Sequence, residues 1–334
     1  VSVDKLAAIN KYYTELINDP YKPMFNRAVM SAYPPGSVFK IVNGLIGLQE
    51  GVIDLEDRFL CTNGFHIGRG VACHSHPSPN DIEEAIMMSC NTFFCYTFRD
   101  IMDNKKYPNI ETSFNKWKEI VESFGFGNKL GSDIPFELGG TLPTTKTYDK
   151  IHGKNHWKSL SIISLAIGQG EIGTTPLHLA NLAAIIANRG YYYTPHIIKG
   201  SPDTTISADY NQKHYTLVNK EHFDVAVRGM YRAVNSPAGS GATAWRVAVE
   251  GLDICGKTGT AQNPHGKDNS VFICFAPRDN PKIAIAVYIE NAGFGATWAA
   301  PIASLMVEKY LKKEVERKDM EKSISESNTI ILNR

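Results

Sequence analysis

The sequence predicts an α+β protein, in which helices flank an antiparallel β-sheet and a mainly helical lobe adjoins the sheet. Capping residues or apolar residues at helical spacing predict helices in five segments: residues 37–51, 81–91, 112–124, 174–190 and 300–317. Apolar residues alternate over 245–262 and 270–291, which predicts strands. Asp279-Asn280-Pro281 marks a turn within the second segment, so two of these strands should form a hairpin.

The first predicted element after the N-terminal region is an abrupt turn followed by an apolar helix. Residues 1–36 begin with helical spacing and end in Tyr33-Pro34-Pro35-Gly36, where two fixed φ angles and a flexible glycine change the chain direction. A helix should start at Ser37 and stop at Gly51, because its apolar residues recur at helical spacing: Val38, Ile41, Leu45 and Leu48.

The middle of the chain alternates irregular and helical segments. Residues 52–80 contain cysteine, histidine, glycine and proline without periodicity, so we expect a loop. Asp81 then begins a helix whose early Glu83 and Glu84 suit the positive end of the helix dipole. Residues 128–158 are predicted to be a long polar loop.

The C-terminal half contains a buried helix, the sheet and a final helix. Thr175 and Pro176 suit the N-cap and first position of the helix that ends near Gly190. The final helix covers 300–317, and the charged residues 318–334 are predicted to be a loose tail.

Composition narrows the possible partners. The chain has 334 residues, 43% of them hydrophobic, which can supply a sizeable core. Its formal net charge of +1 gives no reason to expect nucleic acid as a partner. The chain lacks the run of about 18 apolar residues that a membrane span requires. It opens on Val1, so we expect it to be a fragment of a longer protein.

Three short motifs together indicate nucleophilic catalysis. Ser37 and Lys40 are three residues apart at a helix start, so the hydroxyl and amine share one face, and a lysine with a lowered pKa can activate a serine. Ser89-Cys90-Asn91 and Lys257-Thr258-Gly259-Thr260 follow in that order. Each motif alone is weak, because Ser113-x-x-Lys116 also satisfies the first pattern.

These motifs resemble those of the penicillin-binding protein and serine β-lactamase superfamily. Within it, the chain is most similar to the transpeptidase domain of class B penicillin-binding proteins of the elongation type. Further segments carry this resemblance: Asn26-Arg27-Ala28, Tyr33 to Lys40, Gly168-Gln169-Gly170, Lys257 to Ala261 and Trp298-Ala299-Ala300-Pro301. It implies a transpeptidase fold over residues 1–334 as a single domain, without the N-terminal anchor and pedestal region of that family.

The resemblance also implies a reaction. Ser37 would attack the penultimate carbonyl of a D-Ala-D-Ala stem peptide and expel D-alanine, and an amine from a neighbouring strand would resolve the acyl-enzyme. Lys40 would be the base, while Ser89, held by Asn91 and Lys257, would pass a proton to the leaving amine. β-Lactams would acylate Ser37 in the same way.

The late motif would bind the substrate. The resemblance implies that Lys257, Thr258 and Thr260 hold its carboxylate while Gly259 lets its backbone approach the strand. The backbone N–H groups of Ser37 and Thr260 would form the oxyanion hole.

The loop at residues 52–90 contains a potential metal site. Cys61, Cys73 and Cys90 with a nearby histidine match the ligand types of tetrahedral zinc, but a Cys61–Cys73 disulfide or unpaired thiols fit the spacing equally well. The family resemblance implies zinc, with Cys90 as a ligand. We therefore predict Cys61, Cys73, His76 and Cys90, with His74 as the alternative imidazole.

The remaining cysteines should be structural thiols. Cys95 is expected to pack within a helix, and Cys255 and Cys274 fall on apolar strands. No organic cofactor is expected.

Two other functions share the motifs. A serine β-lactamase would need a water-activating group, for which Glu111-x-x-x-Asn115 has suggestive spacing. A β-lactam sensor would need a signalling segment upstream. For a transpeptidase we expect the extracytoplasmic or periplasmic face, anchorage in the cytoplasmic membrane by a segment absent here, and a glycan polymerase as partner.

Overall fold

The computed structural model describes residues 3–200, 208–264 and 266–327. The helices are α1 (Val3–Asn18), α2 (Arg27–Met30), α3 (Lys40–Gln49), α4 (Ile82–Met88), α5 (Asn91–Met102), α6 (Ile110–Ser123), α7 (Thr145–His152), α8 (Pro176–Ala187), α9 (Lys220–Asn235), α10 (Ala299–Lys312) and α11 (Lys318–Ser325). The strands are β1 (Gly64–Phe65), β2 (Val71–Ala72), β3 (Tyr191–Tyr193), β4 (Lys213–Tyr215), β5 (Cys255–Ala261), β6 (Asn269–Ala276) and β7 (Ile283–Ile289). None of the described helices is both long and apolar enough to cross a membrane.

The largest sheet is antiparallel, in the order β5-β6-β7. Every residue of the central strand β6 is buried, because helices cover both faces of the sheet. Val271, Ile273 and Phe275 join the core shared with α3, α5 and α8, whereas the alternate residues Phe272 and Cys274 join a second core with α10. This arrangement confirms the predicted α+β class.

The helical lobe surrounds α3, which is buried along nearly its whole length. Its Asn43 accepts a hydrogen bond from Trp117 Nε1 at 2.9 Å and donates to Leu165 O at 2.9 Å, so a buried amide connects three parts of the lobe. Phe39 packs edge to face against Trp117. The rigid core under α3 fixes the first turn of that helix.

The structure corrects several sequence-based boundaries. The supposed loop at 128–158 contains α7, which a reciprocal cap between Thr144 and Thr147 begins. Residues 245–254 are not a strand: a short 3-10 turn and a bend at Asp253, with φ of 43°, precede β5. The helix predicted from Asp81 ends at Met88, because Ser89 adopts a left-handed conformation.

The C-terminal tail is partly ordered, contrary to prediction. Residues 318–325 form α11, and Arg317 Nε lies 3.0 Å from the buried carboxylate of Glu308 on α10. Glu316 N also donates to the Glu308 carboxylate at 3.3 Å, so these contacts attach the chain before α11 to α10. Residues 328–334 of the predicted tail lie outside the described residues.

Candidate active site

Ser37 lies in the 3-10 turn Gly36–Phe39, immediately before α3, and we call this turn the nucleophile turn. Gly36 has a φ of 60° and lies so close to β5 that a Cβ on it would be 2.7 Å from Thr260 O. Its N–H donates to Gly168 O at 2.9 Å. The turn is therefore held between β5 and the Gly168 segment, and only glycine fits at residue 36.

Two buried amines converge on Ser89. Lys257 Nζ donates to Ser89 Oγ at 2.7 Å, and Lys40 Nζ lies 3.2 Å from the same oxygen and 2.6 Å from Ser89 O. Both lysines are fully buried, and the left-handed conformation of Ser89 directs its hydroxyl between them. Sequence-distant motifs thus meet in one hydrogen-bonded cluster.

Burial weakens the proton affinity of both amines. It lowers the pKa of Lys40 to about 8 and holds the pKa of Lys257 well below its usual value, with the neighbouring Lys40 charge adding to the effect. A neutral lysine is a base, whereas a charged one is only a donor. The cluster can therefore accept a proton near neutral pH.

A cavity of about 450 Å³ opens over this cluster. Six of the predicted site residues line it: Ser37, Ser89, Asn91, Thr258, Gly259 and Thr260. Lys40 and Lys257 lie behind its wall. Asn91 Nδ2 donates to Ala72 O at 2.5 Å, so this hydrogen bond goes to the cysteine loop rather than to Ser89.

Several lining residues were not assigned to the site from the sequence. Gln169 Nε2 donates to Thr260 O at 3.3 Å, and Phe294, His74 and Gly295 also line the cavity. Gly295 lies against the backbone of Gly259, where a side chain would collide. The sequence signal for this wall is an aromatic residue, Phe294, between two glycines, Gly293 and Gly295.

The four predicted metal ligands lie together. The ligand atoms of Cys61, Cys73, His76 and Cys90 are all within 4.8 Å of one another. Cys73 Sγ is 4.0 Å from Cys90 Sγ, near the separation of about 3.8 Å expected between sulfurs on tetrahedral zinc, and 3.2 Å from His76 Nε2. All six cysteines are free thiols. The cluster is a Cys₃His group that could hold a metal ion.

Local hydrogen bonds prepare these side chains for ligation. His76 Nδ1 lies 2.6 Å from Pro77 O, which can only accept, so Nδ1 carries the proton and Nε2 presents a lone pair to the sulfurs. Contacts with the Cys90 thiol and His76 lower the pKa of the Cys73 thiol well below its usual value, which favours the thiolate. His74 lines the cavity instead, so His76 is the imidazole in the cluster.

Cys90 connects the two sites. It is the N-cap of α5, and its sulfur accepts from Phe93 N at 3.4 Å. Asn91 N donates to Cys73 Sγ at 3.0 Å. Because the adjacent Ser89 belongs to the lysine cluster, the cysteine loop and the cavity share one turn of backbone.

The chain matches a known protein family over most of its length. The sequence model described as penicillin binding protein transpeptidase domain matches residues 4–308. Peptidoglycan D,D-transpeptidase MrdA of Acinetobacter baumannii is 30% identical, over 90% of this chain and 46% of that protein. MrdA of Haemophilus influenzae is also 30% identical, over 91% of this chain and 48% of that protein. The chain thus spans about half the length of the curated relatives it matches.

Solved structures agree in fold. The crystal structure of Pseudomonas aeruginosa PBP2 in complex with WCK 5153 has a TM-score of 0.77 at 27% identity, covering 92% of this chain and 66% of that one. PBP2 of Helicobacter pylori, in its complex with MreC, has a TM-score of 0.70 at 24% identity, covering 93% of this chain and 54% of that one, and shows the fold alone. The chain belongs to the penicillin-binding protein transpeptidase domain family and is homologous to its PBP2 and MrdA members.

Proposed function

We propose that this chain is the acyl-transferring domain of a D,D-transpeptidase that cross-links peptidoglycan stem peptides during cell-wall elongation and cell-shape maintenance. The observation that carries the proposal is the meeting of Lys40, Ser89 and Lys257 beside Ser37 at one cavity. The names of the curated relatives support the same activity. Residues 1–334 act as one transpeptidase domain in this proposal.

Acylation begins with Ser37. Its Oγ attacks the penultimate carbonyl of a D-Ala-D-Ala end, while Lys40, neutral in a useful fraction because its pKa is about 8, takes the hydroxyl proton. Ser89, held by Lys257, passes a proton to the leaving D-alanine nitrogen. Asn91 keeps Ser89 in place through the backbone turn that both share.

The strand β5 binds and polarises the substrate. Thr258 and Thr260 hold the terminal carboxylate, with the buried Lys257 amine behind them, and Gly259 lets the substrate backbone approach. The N–H groups of Ser37 and Thr260 stabilise the oxyanion, each contributing about 3 kcal/mol. An amine of a neighbouring strand then attacks the ester, which forms the cross-link and frees Ser37.

The Cys₃His cluster binds structural zinc in this proposal. Cys61, Cys73, His76 and Cys90 would supply its four ligand atoms, and the metal would add no step to the reaction. It fixes the loop at 52–90 against the turn that carries Ser89. The buried Ile53 and Phe65 already attach this loop to the core, and the metal would add a second attachment at Cys90.

We also propose a setting for the whole protein, which its relatives support. We place the domain on the extracytoplasmic face of the cytoplasmic membrane, held by an anchor outside this chain and working with a glycan polymerase. A similar solved structure concerns coordination of polymerization and crosslinking by a peptidoglycan synthase complex. The alternative base for a β-lactamase, Glu111, lies on α6 and does not line the cavity, which favours a stable acyl-enzyme.

Incubation with a chromogenic β-lactam tests this function. We expect one stoichiometric, long-lived adduct by intact mass and hydrolysis too slow to turn over the reagent, because Glu111, the candidate water-activating residue, does not line the cavity. Ser37→Ala should remove the adduct. Rapid turnover would instead indicate a β-lactamase, and a wild-type chain without an adduct would refute the assignment.

A further inference from the structure

Four side chains connect the segment before the nucleophile turn to the end of β7, and we call them the Tyr33 brace: Arg27, Tyr33, Tyr288 and Glu290. Tyr33 Oη donates to Glu290 Oε1 at 2.7 Å, and Arg27 Nε lies 3.5 Å from Glu290 Oε2. The ring of Tyr33 stacks on Tyr288, with centroids 4.4 Å apart. Burial, with the Glu290 carboxylate nearby, raises the pKa of Tyr33 to about 12, so the phenol keeps the proton it donates.

The chain between the brace and Ser37 is stiff. Pro34 and Pro35 have restricted φ angles and cannot absorb a shift of Tyr33 by simple rotation. Tyr288 Oη also donates to Pro34 O at 3.4 Å. Because Gly36 lies against Thr260 O, and the Tyr33 backbone pairs with Thr174, the residues between the brace and Ser37 have little room to adjust.

The other end of the brace supports the far wall of the cavity. Glu290 directly follows β7, and the loop after it carries Phe294 and Gly295, which line the cavity. Phe294 O accepts from Ser270 Oγ at 2.9 Å, so this loop is attached to β6 as well. Glu290 therefore contacts the segment that leads to the nucleophile and is joined through the backbone to the loop that forms the opposite wall.

We infer that Tyr33 and Glu290 are positioning residues for acyl transfer: the Tyr33 brace holds Ser37 at a fixed distance and angle from the substrate strand β5. The inference rests on the proposed role of Ser37 as the nucleophile. The brace touches no reacting atom; it acts through the nucleophile turn.

Tyr33→Phe is the sharpest variant, because it keeps the ring stacked on Tyr288 and removes only the hydrogen bond to Glu290. We expect the limiting rate constant of β-lactam acylation to fall about tenfold, since small misplacements of reacting groups are costly. The apparent dissociation constant of the β-lactam before acylation should change little. Glu290→Gln still offers an oxygen to Tyr33, so its limiting acylation rate constant should fall less than that of Glu290→Ala.

The chain offers a matched control at the other end of α3. Tyr107 Oη donates to Glu50 Oε2 at 2.6 Å, and Lys106 Nζ lies 3.3 Å from the same oxygen, so the chemistry of the brace is repeated away from the cavity. Tyr107→Phe should lower the thermal midpoint about as much as Tyr33→Phe and leave acylation unchanged.

Stopped-flow acylation with a chromogenic cephalosporin, over a range of concentrations, separates the two constants for each variant. A selective fall of the limiting rate constant in Tyr33→Phe supports the inference. If Tyr33→Phe acylates at the wild-type rate, or if Tyr107→Phe loses as much of that rate, the positioning role of the brace is wrong, but the proposed function is unaffected. A wild-type chain that forms no Ser37 adduct overturns the proposed function and, with it, this inference.

Discussion

Replacement of Lys40 by methionine is expected to slow the acylation of Ser37 by about 10²- to 10⁴-fold, the range lost with a general base. The side chain fits the same buried channel but carries no nitrogen. Because burying the amine opposes folding, as its lowered pKa indicates, the variant should unfold at a thermal midpoint no lower than that of the wild type. Acylation rates with a chromogenic β-lactam, measured beside thermal unfolding, check both expectations.

The pH profile of the wild type belongs to the same prediction. The pKa of Lys40 is about 8, and the neutral amine is the active base. The acylation rate should therefore rise as the pH approaches 8 and level off above it, because the neutral fraction grows through that range. The Lys40→Met variant should lose this rise.

Lys116→Met is the matched control. Ser113 and Lys116 repeat the Ser-x-x-Lys spacing on α6, but Lys116 pairs with Glu119 at 3.1 Å at the surface. Its replacement should change neither acylation nor the pH profile. If Lys40→Met acylates Ser37 at the wild-type rate, Lys40 is not the base.

Cys90→Ser is expected to have the largest effect on stability. Structural zinc sites have apparent binding free energies of about 10–16 kcal/mol, and losing one thiolate should remove most of the bound metal and several kcal/mol of folding free energy. Metal content by elemental analysis and thermal unfolding measure these losses. Acylation should decline as a consequence, because Ser89 adjoins the disturbed turn.

Cys95→Ser controls for the cost of placing a hydroxyl in the core. Cys95 is as fully buried as Cys90 and lies on the same helix, but it is not part of the Cys₃His cluster. We expect it to retain stoichiometric metal and to lose about 1–3 kcal/mol, the cost of an unsatisfied buried polar group. A Cys90→Ser variant that keeps its metal, or that is no less stable than Cys95→Ser, would contradict the zinc assignment.

The sequence was sufficient to bring the three catalytic motifs into one hypothesis, because each motif is a short local pattern. It could not decide between His74 and His76, which are separated by one residue. His76 is selected by two contacts. Pro77 O accepts from its Nδ1, and the β1–β2 hairpin brings Cys73 Sγ near its Nε2. The Tyr33 brace joins residues far apart in the chain and had no sequence signal.

Two other segments also differ from the secondary structure predicted from the sequence. The helix α9 was overlooked although Asn219 precedes it and Phe223, Val227 and Met230 recur at helical spacing. Residues 245–254 looked like a strand because apolar residues alternate there, yet Gly251 and Asp253 have positive φ and turn the chain. In residues 245–254, turn chemistry outweighed hydrophobic alternation.

The location of the β-lactam adduct tests the central claim most directly. After acylation and digestion with trypsin, the adduct should lie on the peptide from Ala28 to Lys40, which contains both Ser31 and Ser37. Fragmentation of that peptide by tandem mass spectrometry should assign the added mass to Ser37, and the Ser37→Ala chain should carry none. An adduct on Ser31, on Ser89 or on the Ser113 peptide would contradict the account.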